Sequence, residues 1–200
     1  MSDYVTIANM AASRIGTETR ISSPDDDRFV ARTIKAAWDI QRQAAIRDGA
    51  WNFAGKRAEL AAESDPDKVI YPWEYAFPQP ASCLRLIEVL DNPRDAYAFE
   101  GGAVLTNTLG PLYIRYLVDV TEPALWDAGF AESFALRLAW RCGRRIAGSA
   151  FDQEECGREY RQSLSAAKRV DARENPTIAQ EESDWVLSRY RPHVSTGGWR

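Results

Sequence analysis

Arg47-Asp48-Gly49-Ala50-Trp51-Asn52-Phe53 is the stretch on which the reading of this chain turns. Upstream of it, apolar residues recur at helical spacing. At Gly49, a helix breaker, that pattern ends, and from Trp51 to Leu60 the chain reads as extended. A protein that passes from long helix to strand here, and back to helix later, belongs to the α+β class.

The helix leading into this stretch is predicted over about 24–48. Ser23 is its expected N-cap, Pro24 its first residue, and Asp25, Asp26 and Asp27 sit at the positive end of its dipole. Val30, Ile34, Ala37, Trp38 and Ala45 mark the buried side. Arg28, Arg32, Lys35, Asp39 and Arg42 advance by alternating fours and threes along one stripe, expected to be solvated or, alternatively, to face another subunit. A shorter helix over about 3–15, with Ile7, Met10, Ala11 and Ile15 in phase, precedes it and stops at Gly16.

Downstream, residues 51–120 read as one small antiparallel sheet inserted between helices. Tyr71-Pro72-Trp73-Glu74-Tyr75-Ala76-Phe77 alternates aromatics at period two, and its prolines confine it to an edge. Cys83–Leu90 and Leu112–Val118 are clearer strands. Tyr97-Ala98-Phe99-Glu100 and Ala103-Val104-Leu105-Thr106 flank Gly101-Gly102, a pair suited to the positive φ angles of a two-residue hairpin turn. Helix is expected again over about 122–147, with Phe130, Phe134, Leu138, Cys142 and Ile146 on one side and Arg137, Arg141 and Arg144 in a row on another. A fourth helix over about 151–173 follows so closely that the two should form an antiparallel hairpin. The fold class is thus α+β and predominantly helical: about four helices in a domain over 1–176, then a tail over 177–200.

The 200 residues, 45% hydrophobic, suffice for one domain with a core. With 25 Lys and Arg against 29 Asp and Glu, the formal charge of -4 argues against a dedicated nucleic-acid binder. Met1-Ser2-Asp3-Tyr4 has neither a basic start nor an apolar run, so no secretory signal is expected, and no segment has the ~18 apolar residues of a membrane span. Cys83, Cys142 and Cys156 form no metal-ligand spacing and read as reduced residues of a protein made in the cytoplasm. His193 is the sole histidine, which argues against a histidine-based triad or metal site. No phosphate-binding glycine motif occurs. The expectation is therefore no catalytic residue, no metal and no cofactor. The enzymatic alternative, a tail-associated peptidoglycan hydrolase, would draw a carboxylate pair from among Glu59, Glu74, Glu88 and Glu100, whose spacing selects no two. The Arg137, Arg141 and Arg144 row leaves a small DNA-binding regulator as a third possibility. Seven Trp, eight Tyr and seven Phe exceed the needs of a small helical core, and Trp185, Tyr190 and Trp199 lie in the tail, where disorder alone would disfavour them.

In order, these segments are a short helix ending Arg14-Ile15-Gly16, a long helix ending in Asp48-Gly49-Ala50-Trp51-Asn52-Phe53, aromatic strands from Trp73 to Leu90, Phe99-Glu100-Gly101-Gly102, Ile114-Arg115-Tyr116 with Asp119-Val120, and a helical pair from Thr121 to Arg173. Over residues 4–173 that order resembles the tail tubular protein A family, head-to-tail adaptors of tailed phages. The resemblance implies a virion protein of the head–tail junction, made in the host cytoplasm, assembling as a dodecameric ring between a portal protein and a downstream tail or nozzle protein. DNA would only transit its channel, no membrane is involved, and the isolated subunit is allowed to be a monomer. Ring closure needs two different patches per subunit. Arg28, Arg32 and Lys35 on one helix and Arg137, Arg141 and Arg144 on another are the candidate subunit-interface residues. Trp185, Tyr190 and Trp199 are the candidate portal contacts, chosen from composition and position.

Overall fold

The computed structural model describes residues 3–63, 71–90 and 96–174. Four helices, α1 (Tyr4–Ile15), α2 (Phe29–Arg47), α3 (Ala128–Ala147) and α4 (Gln153–Glu174), enclose six strands in sequence. These are β1 (Gly55–Leu60), β2 (Tyr75–Pro78), β3 (Cys83–Val89), β4 (Tyr97–Glu100), β5 (Ala103–Thr106) and β6 (Leu112–Val118). The predominantly helical α+β class is the one expected from the sequence, with the strands between α2 and α3.

The insertion is two sheets rather than one. β6 lies between β1 and β3 in one antiparallel sheet, and β5 lies between β2 and β4 in the other. Gly101 and Gly102 join β4 to β5 at φ 58° and 81°, the positive angles a two-residue turn requires. Leu112, Ile114, Tyr116 and Val118, alternate residues of β6, meet Phe77 and Val104 in a core between the sheets. From the opposite face of β6, Leu117 joins the helical core. β3 joins it there: Leu84 and Ile87 pack on the same core, and Arg47 at the end of α2 donates to the Leu84 carbonyl at 2.8 Å.

The helical core is dense in aromatic rings. Trp38 meets Phe134 edge-on at 5.0 Å, Trp126 meets Phe130 and Phe134 at 5.2 and 5.3 Å, and Trp51 meets Phe130 at 5.0 Å. Each pair adds about 0.5–1.5 kcal/mol beyond burial of its area. Trp38, Trp51 and Trp126 therefore account internally for three of the seven Trp, which composition alone had left open to partners.

Several local expectations need correction. α2 begins at Phe29, not Pro24, and Ser23 is not its N-cap. The carboxylate of Asp26 instead accepts from the Ser22 N–H at 3.1 Å and the Arg28 N–H at 3.1 Å, holding residues 22–28 in a loop. Short Asp side chains offer the backbone just such an alternative to helix. α3 begins at Ala128, not near 122, because Asp127 caps it by accepting from the N–H groups of Gly129 (2.8 Å) and Phe130 (3.2 Å). Pro123–Leu125 form a separate 3-10 turn. Trp51-Asn52-Phe53 is not extended either, since a 3-10 turn at Asn52–Ala54 precedes β1. The strand expected from Tyr71 starts only at Tyr75.

Gly49 also has a reason other than the one its position suggested. Its φ is not positive. A Cβ there would stand 2.6 Å from two atoms of the Trp51 indole, so glycine leaves room for that ring to fold back over the helix end. The indole N–H donates to the Ala45 carbonyl at 3.2 Å. The opening stretch is thus a compact corner rather than a simple stop.

Candidate interaction surfaces

The corner is locked by part-buried polar contacts. The Asp171 carboxylate, on α4, accepts from the Asn52 backbone N–H at 3.0 Å, and the Asn52 side-chain amide donates to the Asp171 carbonyl at 2.7 Å. Burial raises the Asp171 pKa, and the Asn52 N–H opposes that shift only in part. Asp48, at the end of α2, accepts from Arg137 of α3 at 2.6 Å and from the Tyr160 hydroxyl of α4 at 3.0 Å. Arg137 also donates to Gln41 at 2.9 Å and to the Tyr160 oxygen at 2.6 Å. Burial pushes the Tyr160 phenol up to about 12, so it stays a neutral donor.

Arg137 is therefore withdrawn from the candidate interface: it is 7% exposed and serves the interior of the helical body. Arg141 and Arg144, one and two turns on, are exposed and have no ion-pair partner among the described residues. All three lie on one helical face. They differ because Gln41 and Asp48 on the α2 side and Tyr160 of α4 present polar atoms to Arg137.

The α2 stripe divides in the same way. Arg28, Arg32 and Lys35 are exposed, but each pairs with an acid of the preceding loop: Arg28 with Asp26, Arg32 with Asp27 at 3.4 Å and Lys35 with Asp25 at 2.9 Å. Exposed pairs of this kind contribute about 0–1 kcal/mol each and leave the stripe nearly neutral. Arg42, expected on the solvated stripe, is 5% exposed. It grips Asp119 through two bonds of 2.8 Å, joining α2 to the chain just after β6. That guanidinium holds the Asp119 carboxyl below the usual carboxylate range.

Two exposed surfaces were not legible in the sequence. The first is a groove of about 530 Å³ between α2 and α3. Phe29, Ala36, Ala37 and Cys142 supply its apolar surface, and Arg32, Arg141 and Arg145 stand around it. The Arg145 guanidinium lies 6.0 Å from the centre of the half-exposed Phe29 ring. The Cys142 thiol is buried in the floor and pushed up to about 11 by that burial, which makes it a packing residue rather than a nucleophile. The second surface is the outer edge of the β module. β4 is an edge strand, and Tyr97 and Phe99 project from it 44% and 45% exposed. Leu109, at 73%, stands in the loop before β6.

The four strand-associated carboxylates do not converge. Glu59 and Glu88 flank β6 on different sides, Glu88 lying 3.5 Å from Arg115, while Glu74 and Glu100 belong to the two outer strand regions of the other sheet. All four are exposed. Among the described residues no group of three or more His, Cys, Asp and Glu is placed to hold a metal ion, and no helix is long and apolar enough to cross a membrane. Trp185, Tyr190, Trp199 and His193 lie outside the described residues. No protein-family model matches the chain, and no curated protein matches it in sequence.

Proposed function

We propose that this chain is a structural subunit of a phage head-to-tail adaptor, one member of a ring that joins portal to tail and encloses the path of the DNA. The observation that carries this reading is the architecture itself. A helical body is cross-braced at Asp48, Arg137 and Tyr160, and it carries a separately cored β module on the two neighbouring strands β6 and β3. The segment order is the one that resembles the adaptor family.

A ring subunit needs two unlike patches for its neighbours. The arginine-lined groove of the helical body and the aromatic edge of the β module meet that need, since one is cationic and concave and the other apolar and open at a strand edge. The interior is fixed independently of either patch, so a folded monomer can await a template. The portal contact falls to residues 177–200 under this reading.

The test is to mix the purified chain with the portal ring of the same phage and follow co-sedimentation and electron micrographs. The expected result is a discrete added layer below the portal, lost when residues 177–200 are deleted while the helical circular dichroism is retained. A full-length chain that never sediments with the portal refutes the adaptor reading, and equal docking of the truncated chain refutes the role given to the tail.

A further inference from the structure

The α2–α3 groove joins an apolar floor to a rim of one charge. Phe29, Ala36, Ala37 and Cys142 form the floor, Arg32, Arg141 and Arg145 form the rim, and no acid lines it. Arg141 and Arg145 are exposed and have no carboxylate partner among the described residues, and Arg32 has only a 3.4 Å contact to a largely exposed Asp27. Such a site fits a segment that carries carboxylates directly beside large apolar side chains.

Chain length decides which segment arrives there. α3 and α4 are antiparallel: Gly129 packs on Ala167, and Gly143 packs on Phe151. Glu174, the last residue of α4, therefore lies at the pole of α3 opposite to Arg141 and Arg145. At 1.5 Å per residue along the bundle, and with one helix width to the side, the groove begins about 30 Å from Glu174. An extended chain gains at most roughly 3.3–3.6 Å per residue. Residues 175–180 of the same chain thus fall short, and residues 182–187 reach the groove.

The residues within reach are also the ones whose chemistry fits. Glu182-Ser183-Asp184-Trp185-Val186-Leu187, outside the described residues, holds two of the three acids in residues 175–200 and the one run there of three consecutive apolar side chains. Residues 188–200 carry three arginines and no acidic side chain, so the arginine rim repels them. Charge-assisted bonds from guanidinium to carboxylate are the strong ones, and Trp and Arg most often dominate interface energetics. Held by so short a tether, the segment stays at an effective concentration above the micromolar level of free subunits, which favours its own groove over that of a second copy.

We propose that in the free subunit the α2–α3 groove is occupied by residues 182–187 of the same chain, with Trp185 and Leu187 on the apolar floor and Glu182 and Asp184 against Arg141 and Arg145. The contact covers the arginine patch that a ring neighbour would use and holds back the tail assigned to the portal. Portal engagement then draws the tail away and frees the groove, so ring closure follows portal binding. That consequence rests on the adaptor reading, whereas the docking of the tail stands without it.

The test uses the full chain with the photo-cross-linker benzoylphenylalanine in place of Trp185, as an equal mixture of light and ¹⁵N-labelled copies. It is irradiated free at micromolar concentration and again on the portal ring. In the free sample, single-isotope cross-links are expected from position 185 to peptides carrying Phe29–Ala37 or Arg141–Arg145. Their yield should fall about tenfold when residues 175–180 are deleted, which removes roughly 20 Å of reach, and return when six Gly and Ser residues replace them. Arg141→Glu plus Arg145→Glu should lower the yield several-fold, and Glu182→Arg plus Asp184→Arg in the same chain should restore it. Mixed-isotope cross-links in the groove, a yield indifferent to the deletion, or no groove cross-link in the free sample overturn the docking. On the portal ring the groove cross-links should give way to portal ones, and groove cross-links that persist in sedimented complexes overturn the release. Failure of the adaptor reading registers separately, as chain that does not sediment with the portal while its free-state cross-links still form.

Discussion

Replacing Arg137 with Met removes the guanidinium at the centre of the helical body and keeps most of the aliphatic volume. Three contacts go: the 2.6 Å bond to Asp48, the 2.6 Å bond to Tyr160 and the 2.9 Å bond to Gln41. Breaking a fully buried charge pair from one side costs about 3–5 kcal/mol. The Arg137 side chain is 9% exposed, but that of Asp48 is 42% exposed, so water re-solvates the orphaned carboxylate and Tyr160 remains bonded to it. The cost is therefore discounted to about 2–3 kcal/mol. For a domain of this length that corresponds to a fall in Tm of roughly 5–10 °C. The matched control is Arg141→Met, on the same helical face one turn along. Its exposed guanidinium stacks on Trp140 at 4.1 Å, and its loss should cost under about 1 kcal/mol. Urea melts monitored by circular dichroism measure both. If the two variants melt within about 0.5 kcal/mol of each other, Arg137 is not the brace described above.

Two further outcomes follow from the interior. Gly143→Ala puts a Cβ 2.4 Å from the Phe151 ring, so the α3–α4 hairpin should lose about 1–3 kcal/mol despite the better helix propensity of Ala; Phe151→Leu in the same chain should restore part of it, and an unaltered melt of the single variant would contradict the packing. Asp171 has a raised pKa, so the native state holds its proton more tightly than the unfolded chain does. Its contribution is fully present below the unfolded carboxylate value near 3.8 and is lost as pH rises through the raised native value. Asp171→Asn keeps an oxygen to accept the Asn52 N–H, so stability at pH 7 should be equal or higher and that acid-side slope should flatten, as read from melts between pH 3 and 7; a steeper slope in the variant would contradict the sign.

The fold was legible where the signal was local. Gly101-Gly102 specified its turn because two successive positive φ angles favour glycine. The helices announced themselves by periodicity, although the starts of α2 and α3 did not. Asp26 and Asp127 are both acids before an apolar run, yet one shapes a loop and the other caps a helix. Nothing in their immediate neighbours distinguishes them.

The candidate surfaces were legible only in part. Periodicity placed Arg137, Arg141 and Arg144 on one face of α3 and Arg28, Arg32, Lys35 and Arg42 on one face of α2. It could not say at which height a neighbour closes over that face, so it grouped buried braces with exposed cations. The α2–α3 groove combines Phe29 with Arg145, residues 116 positions apart by the numbering, and no local pattern joins them.

By itself, the sequence determined the kinds of element, their order and the β4–β5 hairpin, because these depend on backbone preference and on side chains within a few residues. The tertiary structure alone decided that the insertion is two sheets, with β6 between β1 and β3, and that Trp51 folds back over Gly49. It also decided that Arg42 and Arg137 are interior braces while Arg141 and Arg145 remain open to a partner. Burial of a charge depends on which distant elements pack over it, and that information is spread along the whole chain.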